Sequence, residues 1–261
     1  MKKIILCFLV VCLVFASSGC ANAESKIAQI RARNNGAGEL RVGIKVDVPN
    51  FGYIDPDTNE LEGLEIDLAY AMAEKIVGDR NAIRFIPTTG MAKQTLLDNG
   101  EADLIIGTYT ITEERKKVIN FSRPYYTDEL GFLVLDSSGI HEMADFAGKT
   151  IGVTRAGTAF STFDQNPEIL GVSFTLQGFS SYPEIQDALL NGVIDIFSTD
   201  KSILSGYTTS NTTVLEAGVQ PQPYGIASEL SDKTFAKEVD KMLEQLIADG
   251  TVDAILAKWI P

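Results

Sequence analysis

Leu97-Asp98-Asn99-Gly100-Glu101-Ala102-Asp103-Leu104-Ile105 and Leu189-Leu190-Asn191-Gly192-Val193-Ile194-Asp195-Ile196-Phe197 are two renderings of one pattern: a helix end, a glycine turn, an aspartate and an apolar strand. Gly100 and Gly192 read as turn formers, and Asp103 and Asp195 as polar residues at the end of the loop. In this alignment Thr108 and Asp200 take matching places just past the carboxyl end of the strand, where open α/β sheets form their binding crevices. Working outward, Leu40 to Lys45 reads as a strand, and Leu64, Leu68, Ala71, Met72 and Ile76 fall at helical spacing. Ile83 to Ile86 reads as a strand, Met91 to Asp98 as a helix and Asp103 to Gly107 as a strand. This alternation predicts an α/β fold, and the repeat predicts two similar lobes, each a mainly parallel sheet flanked by helices. Phe235, Val239, Met242, Leu243, Leu246 and Ile247, followed by Val252, Ile255, Leu256 and Trp259, predict two amphipathic helices separated at Asp249-Gly250-Thr251.

Met1-Lys2-Lys3, the apolar run Ile4 to Phe15 and the small residues Ala16-Ser17-Ser18-Gly19 have the layout of a secretory signal peptide over residues 1–19. A spanning helix would need roughly 20 apolar residues, more than this run supplies. The small residues before Cys20 resemble the cleavage box of bacterial lipoproteins, although Ser17 stands where leucine is usual, so Cys20 is the expected lipidated N-terminus. Cys7 and Cys12 lie in the signal, which leaves Cys20 as the sole thiol of the mature chain and no partner for a disulfide within it. Residues 20–38 are polar and end in glycines, the composition of a tether. Removing the two signal lysines takes the formal charge from −13 to −13 − 2 = −15, which argues against nucleic acid or an anionic membrane surface as partner.

Several blocks follow one another along the chain: Gly63-Leu64-Glu65-Ile66-Asp67-Leu68 with Ala71-Met72-Ala73, then Thr110-Ile111-Thr112-Glu113-Glu114-Arg115 followed by Phe121-Ser122-Arg123-Pro124-Tyr125-Tyr126. Arg155-Ala156-Gly157-Thr158, Ser198-Thr199-Asp200-Lys201 and Tyr224-Gly225-Ile226-Ala227 complete the set. From about Leu40 to Ile260 this order and spacing resembles the solute-binding proteins of polar amino-acid ABC transporters, solute-binding protein family 3. The resemblance implies a two-lobed periplasmic-binding-protein-like fold of type II, with two crossover strands forming the hinge. It implies a first lobe of residues 39–126 plus 224–261, with residues 127–223 as the second lobe. It further implies a small amino-acid ligand, ABC permease subunits as partners, membrane attachment through the lipid at Cys20, a monomer, and no cofactor or metal.

The chemistry of the residues stands beside that resemblance. A zwitterion taken out of water needs both charges paired, because an isolated buried ion costs several kcal/mol. Arg115 suits the α-carboxylate, since a guanidinium donates two parallel hydrogen bonds to it. Thr110 and the amides at the adjacent helix start add donors, and Gly157 and Thr158 repeat the device from the second lobe. Asp200 supplies the counter-charge for the α-ammonium. The plainer readings are that Arg115 lies on a solvated face within Glu113-Glu114-Arg115-Lys116-Lys117, and that Asp200 caps a helix over Ser202 to Leu204. Lys45, Lys93 and Arg155 are expected to face the same cleft. Against a charge of −15 they favour an anionic ligand side chain, glutamate or aspartate, and the segment Gly43 to Pro49 looks like that of aspartate/glutamate-binding members of the family. Glutamine or cysteine is the alternative. Phe51, Tyr53 and Tyr224 either wall the aliphatic part of the ligand or pack the lobes.

His141 is the only histidine and has no acidic or thiol partner at a recognisable spacing, and no metalloprotease, nucleophile-elbow or phosphate-loop motif occurs. The expectation is therefore a binding protein. A dehydratase of cyclic carboxylates or a sensor domain on the same fold are the competing readings; Asp200 repels a purely anionic substrate and so favours the binding protein over the dehydratase. Mass spectrometry of protein taken from its native membrane should find Cys20 acylated, and Cys20→Ala should release the protein into the medium; an unmodified, freely secreted mature chain would remove the anchor.

Overall fold

The computed structural model describes residues 24–260, so the expected signal peptide and the expected anchor at Cys20 lie outside the described residues. In chain order the first part runs α1 (Lys26–Ala32), β1 (Leu40–Ile44), β2 (Asp47–Val48), β3 (Gly52–Ile54), β4 (Leu61–Glu62), α2 (Leu64–Val77), β5 (Ile83–Pro87), α3 (Lys93–Asp98), β6 (Leu104–Ile105), α4 (Glu113–Lys116) and β7 (Ile119–Leu135). The chain continues through β8 (Thr150–Thr154), α5 (Thr158–Gln165), β9 (Thr175–Phe179), α6 (Tyr182–Leu190), β10 (Ile196–Asp200), α7 (Lys201–Ser205), β11 (Thr212–Val214), β12 (Val219–Glu229), α8 (Lys233–Ala248) and α9 (Thr251–Trp259).

A nine-stranded sheet has the order β5-β1-β6-β12-β7-β10-β8-β9, with β11 added on β7. One end is a parallel triplet, β5, β1 and β6, and the other is the parallel triplet β10, β8 and β9. Between them β7 and β12 run antiparallel along each other and through both lobes, which makes them the two crossovers. Their register breaks at Tyr224/Gly225 and Gly225/Ala227. The parallel strands are short apolar runs because helices cover them: Leu40, Val42 and Ile44 of β1 are fully buried.

The repeated aspartates hold matching joints. The Asp103 side chain accepts the Arg41 amide at 3.0 Å while the Asp103 amide donates to the Arg41 carbonyl at 2.8 Å. Asp195 does the same with Thr150, at 2.8 and 3.0 Å. Each aspartate thus clamps the start of the neighbouring parallel strand, a firmer role than a polar loop end.

Two elements depart from expectation. Residues 26–38, expected to be part of a tether, are packed on the first lobe. Ser25 caps α1, Ile30 is fully buried, and Arg31 Nε donates to the Ile76 carbonyl of α2 at 2.7 Å. Arg33 grips Asp103 through both of its terminal nitrogens, and Lys26 adds a contact at 3.0 Å. The polar composition of the stretch concealed an apolar pair, Ile27 and Ile30, at helical spacing. The strand expected over Asp103 to Gly107 contracts to Leu104–Ile105 because the chain turns at Thr108, whose φ is 42°.

Gly63 sets where α2 begins. Its φ is 131°, and a Cβ there would lie 2.1 Å from the Phe51 carbonyl oxygen. Only glycine lets the helix start this close to the chain at Phe51, whose carbonyl accepts the Glu65 amide at 2.9 Å. Among the described residues no helix is long and apolar enough to cross a membrane.

Burial alone would raise the Asp103 carboxyl, but Arg33, the Arg41 amide and Lys26 together hold it below its ordinary value. A depressed carboxylate contributes stability above its unfolded value of 3.8 and loses it as pH falls through the folded one. Asp103→Asn should therefore cost about 1–3 kcal/mol in urea unfolding at pH 7, where its partners are part-solvated, with the gap closing as pH falls below 3.8. A pH-independent gap would show that charge pairing at Asp103 is not what is lost.

Candidate functional site

Between the two lobes, at the carboxyl ends of both parallel triplets, lies a cavity of about 190 Å³. Of the candidate residues, Lys45, Lys93, Thr108, Thr110, Arg115, Arg155, Thr158 and Asp200 line it, from both lobes. Phe51, Tyr53 and Tyr224 do not. Phe51 and Tyr224 are fully buried beneath the floor, their ring centroids 5.8 Å apart, and Phe51 also packs edge-on against Tyr126 at 5.6 Å. They hold the crossovers together; Tyr224 bears on the site through its hydroxyl, which donates to Asp200.

Arg115 is not on a solvated face. In α4 Lys116 pairs with Glu113 and Lys117 with Glu114, each at 2.7 Å, so the carboxylates of this charged stretch are taken by the lysines. The guanidinium turns inward over the Tyr109 ring, 4.7 Å from its centroid, and donates to two carbonyls: Thr110 of the first lobe at 2.8 Å and Ala156 of the second at 3.4 Å. Burial lowers its pKa, yet it stays charged. Asp200 precedes α7 but makes no side-chain capping bond, so helix capping does not account for it. The residue is 4% exposed. Burial pushes its carboxyl up to about 7 against the pull of the Tyr224 hydroxyl, and nearby Asp128 adds to the rise.

Lys45 is buried and paired with Asp47 at 2.8 Å. Lys93, 5% exposed, donates to the Gly107 carbonyl and sits 4.6 Å from the Tyr109 centroid, but makes no ion pair among the described residues. Burial, reinforced by the charges of Lys45 and Arg115, brings its ammonium down to about 7. Arg155 stands exposed at the rim, 3.5 Å from the Ser180 hydroxyl. The Thr158 hydroxyl donates to Gln222 of β12 at 2.6 Å, and its helix α5 begins at the cavity with Gly157 as cap. Four cations thus face one carboxylate across the lining.

The sequence reading missed the rims. Thr89, Gly90 and Met91 line the cavity from one lobe and Ser181 and Tyr182 from the other. The spacing of the repeat is 189 − 97 = 92, which places Ser181 and Tyr182 opposite Thr89 and Gly90, so extending the alignment upstream finds both. Glu65 also escaped notice. It is fully buried behind the cavity, and one oxygen accepts from the Thr108 amide and the Tyr125 hydroxyl. Three residues before Leu68 and seven before Met72, it lies on the apolar face of α2, but that periodicity does not say what this acidic residue meets there.

The family model for bacterial extracellular solute-binding proteins, family 3, matches residues 40–261. The glutamine-binding protein GlnH of an ABC transporter of Bacillus subtilis (strain 168) is 34% identical over 246 residues, 94% of this chain and 89% of that one. Glutamate-binding protein GluB of Corynebacterium glutamicum is 28% identical, covering 92% of this chain and 84% of its own. The crystal structure of a solute receptor for L-cysteine from Neisseria gonorrhoeae superposes with a TM-score of 0.81 at 24% identity, over 90% of this chain and 94% of that one, a likeness of fold.

A carboxyl with a raised folded pKa stabilises below its unfolded value and loses that contribution as pH rises through the folded value, here from 3.8 to about 7. At pH 8 the uncomplexed protein bears the full cost of the buried Asp200 charge. Asp200→Asn should accordingly melt higher than the parent at pH 8, with the gain shrinking towards pH 4; equal melting at both would place Asp200 in a better-solvated setting.

Proposed function

The chain belongs to the bacterial extracellular solute-binding proteins of family 3, and we propose that it captures an acidic amino acid, glutamate or aspartate, and delivers it to an ABC importer. The observation that carries this reading is the surplus of positive charge in the lining, with Lys93 among the described residues lacking a carboxylate partner. Arg115 takes the α-carboxylate, Asp200 the α-ammonium, and Lys93, with Lys45 and Arg155 around it, the side-chain carboxylate. Each pairing offsets a desolvation cost that water had covered. The ligand draws residues 39–126 plus 224–261 and residues 127–223 together, because its two backbone charges are held from opposite lobes. The protein works outside the cytoplasm, held to the membrane by lipid at Cys20, and presents the closed lobes to permease subunits. It binds without turnover: Asp200 disfavours the purely anionic cyclic carboxylate that a dehydratase on this fold would need.

Glutamine is the second reading. It is favoured by the GlnH relative and by a Lys93 ammonium that burial already brings to about 7, since a neutral amine can hydrogen-bond an amide without loss of an ion pair.

Calorimetry separates the two. Glutamate should bind at least about tenfold more tightly than glutamine, and Lys93→Met should narrow that gap. At pH 8, above the Lys93 value of about 7, glutamate binding should take up a proton as Lys93 charges, visible as a buffer-dependent enthalpy, whereas glutamine binding should not. Equal affinities, or a preference for glutamine without proton uptake, overturn the acidic assignment. Arg115→Ala should weaken either ligand by about a hundredfold or more.

A further inference from the structure

The peptide unit joining Gly107 and Thr108 is held at both ends by ionisable side chains. Its carbonyl oxygen accepts from Lys93 Nζ, and its amide donates to Glu65 Oε1. Lys93 comes from the start of α3 and Glu65 from the first turn of α2, so a single amide plane is pinned between two helices. The pinned unit is an unfavourable one. Thr108 has φ of 42°, a left-handed conformation that a β-branched residue adopts only under constraint. Thr108 and Lys93 both line the cavity, while Glu65 does not. Gly63, whose close approach to Phe51 admits no side chain, fixes the rotation of α2 that aims Glu65 at this amide.

From this geometry we propose that Glu65 is a positioning residue for ligand binding: its carboxyl oxygen holds the 107–108 peptide in the conformation that presents Thr108 and Lys93 to the ligand, and it does so as a hydrogen-bond acceptor rather than as a charge. The second oxygen, Oε2, bears on the acceptor role, since it is buried with no hydrogen-bond partner among the described residues. An unpaired anionic oxygen in such a place costs more than an unpaired hydroxyl. The groups facing the carboxyl divide: Lys93, Lys45 and the N-terminus of α2 favour the charged form, while desolvation opposes it and outweighs them, raising the pKa. A neutral carboxylic acid keeps a carbonyl oxygen able to receive both the Thr108 amide and the Tyr125 hydroxyl.

This proposal rests on the cavity being the amino-acid site, and its test has one arm that needs no ligand. In Glu65→Gln the amide carbonyl replaces the acceptor without any charge. In Glu65→Ala the acceptor is gone. Amide hydrogen exchange followed by NMR on the uncomplexed proteins should find Thr108 as protected in Glu65→Gln as in the parent, and at least about tenfold faster exchanging in Glu65→Ala. Affinities for L-glutamate and L-glutamine, measured on the folded variants, should stay within about threefold of the parent for Glu65→Gln and fall by about tenfold or more for Glu65→Ala. Should Glu65→Ala not fold, Tyr125→Phe leaves the 107–108 contact in place and should preserve both Thr108 protection and affinity. Loss of Thr108 protection or a tenfold loss of affinity in Glu65→Gln overturns the acceptor role, as does unchanged Thr108 protection in Glu65→Ala. A parent protein that binds neither amino acid would instead overturn the assignment of the cavity, with the Thr108 exchange still deciding the role of Glu65.

Discussion

A charge can leave water only if something else replaces the water, and the inter-lobe cavity is arranged around that constraint. Arg115 has carbonyls from both lobes, Lys93 has a carbonyl and an aromatic face, and Asp200 has a tyrosine hydroxyl. These partners are neutral. They satisfy directions without cancelling charge, which is why the Lys93 and Asp200 values are both drawn to about 7 from opposite sides. A ligand carrying the complementary charges completes the pairing that the fold leaves to it. The sheet serves this end by bringing the carboxyl ends of two parallel triplets face to face across β7 and β12.

Much of this was legible because the repeated pattern fixes two things at once. The glycine and aspartate of each copy set the strand start, and the residue a fixed distance on falls at the strand's carboxyl end, so Thr108 and Asp200 emerged together. Arg115 and Asp200 could each be explained as ordinary surface chemistry from the sequence, and only the packing removes those explanations: the neighbouring lysines occupy the glutamates, and the cap bond is not made. What stayed hidden has a common cause. Phe51 and Tyr224 sit one layer below the lining, Glu65 one layer behind it, and α1 is held by contacts to α2 and Asp103 that are far apart in sequence. Periodicity reports which face of an element is inward, but not how many layers separate that face from a cavity.

The crossovers carry a second kind of information. Tyr126 and Tyr224 stand opposite each other in the β7–β12 ladder, and the register breaks immediately beyond them. Fully paired ladders resist bending, so irregularity at this point leaves a locus where two otherwise rigid triplets can change their angle. Phe51 packs against both tyrosines from the first lobe.

The hydroxyl of Tyr224 belongs to a crossover strand, yet it ends on the carboxyl that lines the cavity from the second lobe. One donor does not neutralise Asp200; a cation is still wanted there. A 2-oxo acid of the same size and acidity as an amino acid would satisfy Arg115 and Lys93, but above about pH 7, where Asp200 is ionised, it would confront that carboxylate with a carbonyl, acceptor against acceptor. Sites built to hydrogen-bond a group reject the analogue lacking it far more strongly than apolar pockets reject a change in size. If the cavity holds the amino acid as proposed, it would sort nitrogen-bearing nutrients from the keto acids and dicarboxylates of intermediary carbon metabolism, and the importer it serves would be shielded from competition by the carbon skeletons of its own cargo.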